Sequence, residues 1–349
     1  MRGRELIFGS AAAILIVGYG ALGIRALPLL LASTSAVVTP AKPAAPVSTQ
    51  VVLPGRIAFT LRGDVYVVAD GAYRPATAEG RSIQPALSAD GTALVFARVE
   101  TLPGTRVVDG RAVPAELAFT RIVRKPTGGG AEEVLVEGLR QRAQNGQHLV
   151  SWYLGPALSP DGKRLALTED DGDGASDLEV IDLATPGRRS VTILSTGAQL
   201  ADASWSPDGR TIAVTSYNTD TAGLLLWPVD GRTAPQRLRT FPKGDAYRPS
   251  FSADGRWLAY TLRNGDRNDV HIQELATGRD IALTSDGRSW NGVLSPDGRW
   301  LAYLRSEGGV IDLWALELGE ALVGGASRSP RKVTHGEGVD GDSRPAWAN

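Results

Sequence analysis

The chain has 349 residues, 42% of them hydrophobic, and a net charge of −1 from 37 basic and 38 acidic side chains. That near-neutrality offers no electrostatic footing for nucleic acid, and the absence of cysteine excludes disulfides, thiolate metal sites and cysteine nucleophiles. The three histidines, His148, His271 and His335, are scattered and lie in no metal-hydrolase motif.

At the N-terminus, "LIFGSAAAILIVGYGALGI" (Leu6 to Ile24) is a 19-residue run without a charge, preceded by Arg2 and Arg4. At about 1.5 Å per residue such a run crosses a bilayer as one helix, and the leading arginines favour an inside N-terminus with the remainder exported. The following "ALPLLLASTSA" ends in small residues that suit a signal-peptidase site after Ala36. Residues 1–36 therefore read as a single transmembrane anchor or as a cleaved signal peptide. Residues 37–52, containing "TPAKPAAPVSTQ", read as a Pro/Ala-rich linker, and a folded domain is expected over 53–349.

Five elements then recur: "LSADGTALVF", "LSPDGKRLAL", "WSPDGRTIAV", "FSADGRWLAY" and "LSPDGRWLAY". Their aspartates, Asp90, Asp161, Asp208, Asp254 and Asp297, are 71, 47, 46 and 43 residues apart. Periods near 45 with short apolar runs predict four-stranded propeller blades. In each element Pro or Ala opens a turn, Asp bonds locally and Gly takes the left-handed corner, so the element is a hairpin between strands A and B. Strand B is apolar on both faces, as expected of a strand packed between neighbouring sheets. Third runs such as "DVYVVADG", "DLEVIDLATPG" and "IDLWALELG", each with a short fourth run after it, complete an A-B-C-D unit. The domain opens on a strand B, at "GRIAFTL", and ends on a strand A, at "RPAWAN". The last strand therefore completes the first blade. The expected fold is all-β: a six-bladed propeller closed by its terminal strands, preceded by a transmembrane helix, with an insertion inside the 71-residue gap.

Over residues 55–349 the "SPDGxxLAY" element and the "D-I/L/V-x-V-x-D" strand resemble the WD-like repeats of the TolB-type β-propellers. The resemblance implies a six-bladed propeller. TolB proteins carry an α/β domain before the propeller, whereas here the linker runs straight into strand B.

In a propeller the A–B and C–D turns share one face, and the B–C loops and D–A connections share the other. The uniform Asp-Gly turns make the first face structural. The second varies, with inserted segments at 99–115 and at 138–153, the latter carrying Arg140, Arg142, His148, Trp152 and Tyr153. The residues expected just before each strand A are Gln84, Tyr153, Asp202, Tyr247 with Arg248, Trp290 with Asn291, and Arg344, which should rim the central channel. Aromatic and arginine side chains there suit a recognition surface; the competing reading is that they pack the insertion or pair with acids such as Asp245 and Asp342. In "EDDGDGASD", Glu169, Asp171, Asp173 and Asp177 alternate around a Gly turn and could wrap Ca²⁺, although position 12 of that pattern is Val180 rather than Glu.

No G-x-S-x-G elbow or hydrolase domain is present. The leading expectation is a non-enzymatic, membrane-tethered module outside the cytoplasm that binds a protein, a peptide or a cell-envelope polymer through its loop-rich face. The alternative is a carbohydrate-active lyase or hydrolase with its site in the channel. That alternative requires Asp202, Asp245, His148 and Arg248 to converge.

Overall fold

A computed structural model describes residues 46–49, 51–108, 111–141, 148–170, 175–185, 190–218, 221–238, 244–319 and 329–349. The segment Leu6–Ile24, expected to be a transmembrane helix, lies outside these residues. Among the described residues no helix is long and apolar enough to cross a membrane.

The strands in chain order are β1 (Val47–Ser48), β2 (Arg56–Leu61), β3 (Asp64–Ala69), β4 (Ala72–Pro75), β5 (Ser82–Leu87), β6 (Ala93–Val108), β7 (Arg111–Pro126), β8 (Glu133–Glu137), β9 (Leu139–Gln141) and β10 (His148–Val150). They continue with β11 (Trp152–Leu158), β12 (Arg164–Asp170), β13 (Asp177–Asp182), β14 (Ser190–Leu194), β15 (Gln199–Trp205), β16 (Thr211–Tyr217), β17 (Ala222–Pro228) and β18 (Gln236–Arg237). The remainder are β19 (Asp245–Phe251), β20 (Trp257–Asn264), β21 (Arg267–Glu274), β22 (Asp280–Ala282), β23 (Ser289–Leu294), β24 (Trp300–Glu307), β25 (Val310–Glu317), β26 (Arg331–Lys332) and β27 (Ala346–Ala348).

Six antiparallel sheets form the six blades. Blade 1 has the order β1-β4-β3-β2-β27; blades 2 to 6 are β5–β8, β11–β14, β15–β18, β19–β22 and β23–β26. The last strand pairs with β2 through Arg56↔Ala348, Ile57↔Trp347 and Ala58↔Ala346, which closes the ring as the termini of the repeat predict. Within the segment read as linker, Val47–Ser48 form β1, which pairs with the outer strand β4, and Val51 is buried.

The hairpin turns owe their uniformity to serine as much as to Asp-Gly. In each of the five, the Ser hydroxyl donates to the Asp carboxylate at 2.5–2.6 Å. The same hydroxyl accepts the amide five residues on at 2.9 Å, as Ser206 Oγ does from Thr211 N. Gly91, Gly162, Gly209, Gly255 and Gly298 all take φ between 66° and 69°, the left-handed corner that glycine adopts without strain.

The core is a ring of six apolar clusters, one at each junction between blades. Strand B is buried along nearly its whole length, as in β16 and β20, because both of its faces meet a neighbouring blade. The 71-residue gap holds the expected insertion. β6 and β7 run on together for 16 residues each, from Ala93↔Pro126 to Val108↔Arg111, and form an arm beyond the ring; β9 and β10 add a short hairpin beside it.

Candidate functional site

Every strand A except the closing one contains a register shift at the same place. The shifts fall between Ile83 and Ala86, Leu154 and Ala157, Ala201 and Ser204, Tyr247 and Ser250, and Trp290 and Val293. The residue at each bulge has positive φ: Gln84 (53°), Gly155 (58°), Asp202 (60°), Arg248 (57°) and Asn291 (58°). Four non-glycine residues in this sparsely populated region are held there by their surroundings, and a bulge re-aims a side chain. Gln84, Asp202, Arg248 and Asn291 thus lie inside strand A rather than just before it, while Arg344 precedes its strand, β27. Tyr153 is not one of them; in blade 3 the equivalent position is Gly155.

A buried hydroxyl caps the amide of three of these residues. Arg248 N donates to Thr215 Oγ1 and Asn291 N to Thr261 Oγ1, both at 2.9 Å; Gln84 N donates to Ser343 Oγ at 3.0 Å. Thr215 and Thr261 belong to strand B of the preceding blade. The recurring Thr in "LAYTL", "IAVTS" and "IAFTL" is the sequence signal for them, less conspicuous than the Asp-Gly beside it.

The side chains converge on the segment that leads into β27. Gly341 O accepts from Trp290 Nε1 (2.9 Å), Asn291 Nδ2 (3.2 Å) and an Arg248 terminal nitrogen (3.2 Å). The other terminal nitrogen of Arg248 donates to Asp342 O at 3.0 Å, and the guanidinium also donates to Asn291 Oδ1 at 2.6 Å. Arg344 donates to Ala203 O in blade 4 at 2.9 Å and to Pro249 O in blade 5. Asp340 accepts the amides of Arg62 (3.0 Å) and Gly63 (2.8 Å), Ser343 meets Thr60 at 2.7 Å, and Gln84 Oε1 accepts Gly155 N at 2.7 Å. Residues 340–344 therefore contact blades 1, 2, 4, 5 and 6 directly and blade 3 through Gln84.

Arg248, Asp202, Asn291 and Trp290 are buried. The Arg248 Nε to Asp202 Oδ1 distance is 3.8 Å, and Asp202 Oδ2 has no hydrogen-bond partner among the described residues. Asp342 reaches solvent, yet the surrounding ring displaces enough of its hydration to raise its pKa, against the pull of Arg248. Burial raises Asp340 as well, despite its two amide donors.

The other named residues fall nearby but in different roles. Tyr247 is half-buried, donates to Asn268 Oδ1 at 2.6 Å, and is pushed up to about 12 by burial. Asp245 is engaged by Arg263 at 2.7 Å and does not join Asp202 and Arg248. Tyr153 is buried and donates to Glu169 Oε1 at 2.9 Å, while Trp152 packs half-buried on the junction of blades 2 and 3. Glu169 stands opposite Asp177 in the register of β12 and β13. Asp171 and Asp173, like Arg142, lie outside the described residues, and among the described residues no three acidic or histidine side chains are grouped to hold a metal.

Comparison with known proteins gives a consistent result. The model of the TolB beta propeller domain matches residues 128–348. A protein TolB homolog of Chlorobium luteolum is 34% identical over 126 residues, which is 36% of this chain and 27% of that protein. A Tol-Pal system protein TolB of Francisella tularensis subsp. holarctica is 34% identical over 91 residues, 26% of this chain and 20% of its own length. The alignments thus span under a third of these curated relatives. Among solved structures, TolB from Acinetobacter baumannii superposes with a TM-score of 0.62 at 22% identity, covering 86% of this chain and 68% of that one, a likeness of fold.

Proposed function

This chain belongs to the TolB beta propeller domain family, and from that premise we propose that it is a non-enzymatic binding module, held at a membrane by residues 1–36 with its propeller outside the cytoplasm. Its partner is a protein, a peptide or a cell-envelope polymer; a protein partner is supported by the Francisella relative, which is named as a Tol-Pal system protein. One observation carries the reading: the two faces of the disc differ. Five near-identical serine-capped turns repeat around one face, while the other bears the β6–β7 arm, the β9–β10 hairpin and the closing segment 340–344. A surface elaborated on one side of a rigid scaffold is where recognition is built. The proposed contact surface comprises the arm, Trp152, Tyr247 and the Asp342 carboxylate, with Gln84, Asp202, Arg248, Trp290, Asn291 and Arg344 positioning the closing segment beneath it. Ca²⁺ bound by Glu169, Asp171, Asp173 and Asp177 would stiffen the loop beside Tyr153.

Co-precipitation from solubilised envelope tests this with the full chain as bait. Because Arg248 and Trp290 hold the ring together, the informative variants are Asp342→Asn, which keeps the carbonyl that Arg248 grips, and the pair Leu102→Glu with Leu117→Glu on the arm. A component retained by the parent chain and lost from a folded variant supports the reading. Equal retention by all three chains, or by none, counts against this face as the contact surface. For Ca²⁺, the melting temperature should rise with added calcium and return with chelator, and Asp173→Asn should abolish the response.

A further inference from the structure

Asparagine followed by glycine is a chemically labile pair. The glycine nitrogen attacks the asparagine side chain, and a residue without Cβ hinders that approach least. The pair occurs three times in this chain, at Asn145-Gly146, Asn264-Gly265 and Asn291-Gly292. The first lies outside the described residues. The fold treats the other two in opposite ways.

Asn291-Gly292 is locked. Asn291 is fully buried at the bulge of β23, with φ of 58°. Its Nδ2 donates to Gly341 O at 3.2 Å, its Oδ1 accepts from Arg248 at 2.6 Å, and its backbone amide donates to Thr261 Oγ1 at 2.9 Å. A Cβ on Gly292 would lie 2.5 Å from Val270 Cγ1, so the space that an entering water needs is already filled.

Asn264-Gly265 is open. Asn264 ends β20, Arg267 begins β21, and Gly265 with Asp266 forms the two-residue turn between them. Asn268 N donates outward, to Gly287 O at 3.0 Å, so the alternation of an antiparallel ladder makes Asn264 and Arg267 the bonded pair that closes the hairpin. The Gly265 amide therefore belongs to the turn and not to the ladder. Residues 264–267 are exposed, and a Cβ on Gly265 would meet nothing within 4 Å beyond its chain neighbours.

We propose that Asn264 is a self-modification site, which converts to aspartate and isoaspartate while the fold preserves Asn291. Attack of Gly265 N on Asn264 Cγ forms a five-membered imide. The Cγ–Nδ2 bond breaks, and ammonia leaves with the glycine amide proton. Water then opens the ring at either carbonyl. One opening gives aspartate; the other gives isoaspartate, which adds a methylene to the main chain of the turn. Solvent water is the only co-reactant, and nothing is oxidised or reduced. Either product adds a negative charge beside Asp266. The turn lies at the loop-face end of β20, in which Thr261 is the register partner of Tyr247. The charge thus falls on the face assigned above to recognition, although the chemistry does not depend on that assignment.

The test uses the full chain in mild detergent, aged at mildly alkaline pH and sampled by peptide mass spectrometry, with enzymatic methyl labelling to count isoaspartate. A parallel sample is aged unfolded in guanidinium chloride, where both pairs are equally accessible. In the folded chain Asn264 should convert roughly tenfold faster than Asn291 or more, because reaction at Asn291 waits on local opening. In the unfolded chain the two rates should become similar. Conversion at Asn264 should accelerate as pH rises, since the attacking nitrogen must lose its proton. Asn264→Gln, whose ring would need six members, should remove the signal from that peptide. Equal rates at the two sites in the folded chain overturn the proposal. So does a folded chain that leaves Asn264 intact under conditions in which the unfolded chain converts it.

Discussion

Arg248 joins three blades at once. It adopts positive φ, presents its terminal nitrogens to Asn291 Oδ1 and to the carbonyls of Gly341 and Asp342, and lies 3.8 Å from the Asp202 carboxylate. Arg248→Met would keep the volume of the stem but strand a buried carboxylate and several acceptors. A loss of about 3–5 kcal/mol is expected, measurable as a lowered midpoint in urea. Gly341 is less constrained: a Cβ there would sit 2.9 Å from Ile311 Cδ1, the end of a flexible side chain that can turn aside, and 3.4 Å from Trp290 Cζ2. Gly341→Ala should therefore cost less than about 1 kcal/mol. Asp342 gives a test of opposite sign. Its raised pKa means that the folded state disfavours the charged form. Asp342→Asn should raise the melting temperature at pH 7 and leave it unchanged at pH 3, where both forms are neutral.

At the level of elements, the serine-capped turn and the arm differ in what they support. In the turn at Asp208, one serine hydroxyl satisfies both the carboxylate and the Thr211 amide. Ser206→Ala removes both bonds, and a loss of about 1–2 kcal/mol is expected in thermal or chemical unfolding. The arm lies outside the ring of apolar clusters. Replacing residues 101–118 with a tight turn should change stability by less than about 1 kcal/mol, since shortening a surface excursion alters closure entropy only slowly. The same deletion should abolish partner capture if the proposed surface is correct.

For the molecule as a whole, acid is the informative perturbation. The Ser88 hydroxyl, with the Thr92 amide behind it, holds Asp90 down to about 2. Asp161 and Asp208 are lowered chiefly by Ser159 and Ser206. A carboxylate depressed in the folded state contributes stability above its unfolded pKa of about 3.9 and loses it as pH falls through the folded value. Melting temperature should thus decline between about pH 4 and pH 2. Asp340 and Asp342, raised by burial, act in the opposite sense just above that window and should soften its onset. In a chain in which Ser88, Ser159 and Ser206 are all alanine, the decline should be shallower, because the depressed pKa values return toward normal.

Blade number, strand order and closure were legible because each is written locally and repeatedly. A Pro-Asp-Gly turn, an apolar strand B and an Asp-headed strand C specify one unit by short-range sterics and hydrogen bonding, and the count follows from repetition. The chain's two incomplete ends also announced their pairing, since a lone strand A and a blade lacking one can satisfy each other. The rim residues Gln84, Asp202, Arg248 and Asn291 were legible as positions, because each stands six residues before the aspartate of its turn, and Arg344 because it precedes Trp347 as Asp202 precedes Trp205. Their role was decided only by tertiary structure. Arginines and aromatics at a channel mouth look alike in sequence whether they await a partner or grip a carbonyl of their own chain. The distinction depends on Gly341, more than 90 residues from Arg248, arriving within 3.2 Å of it. The short strand β1 was illegible for the same reason: "PVST" has the composition of a linker, and only its pairing with β4 makes two of its residues a strand.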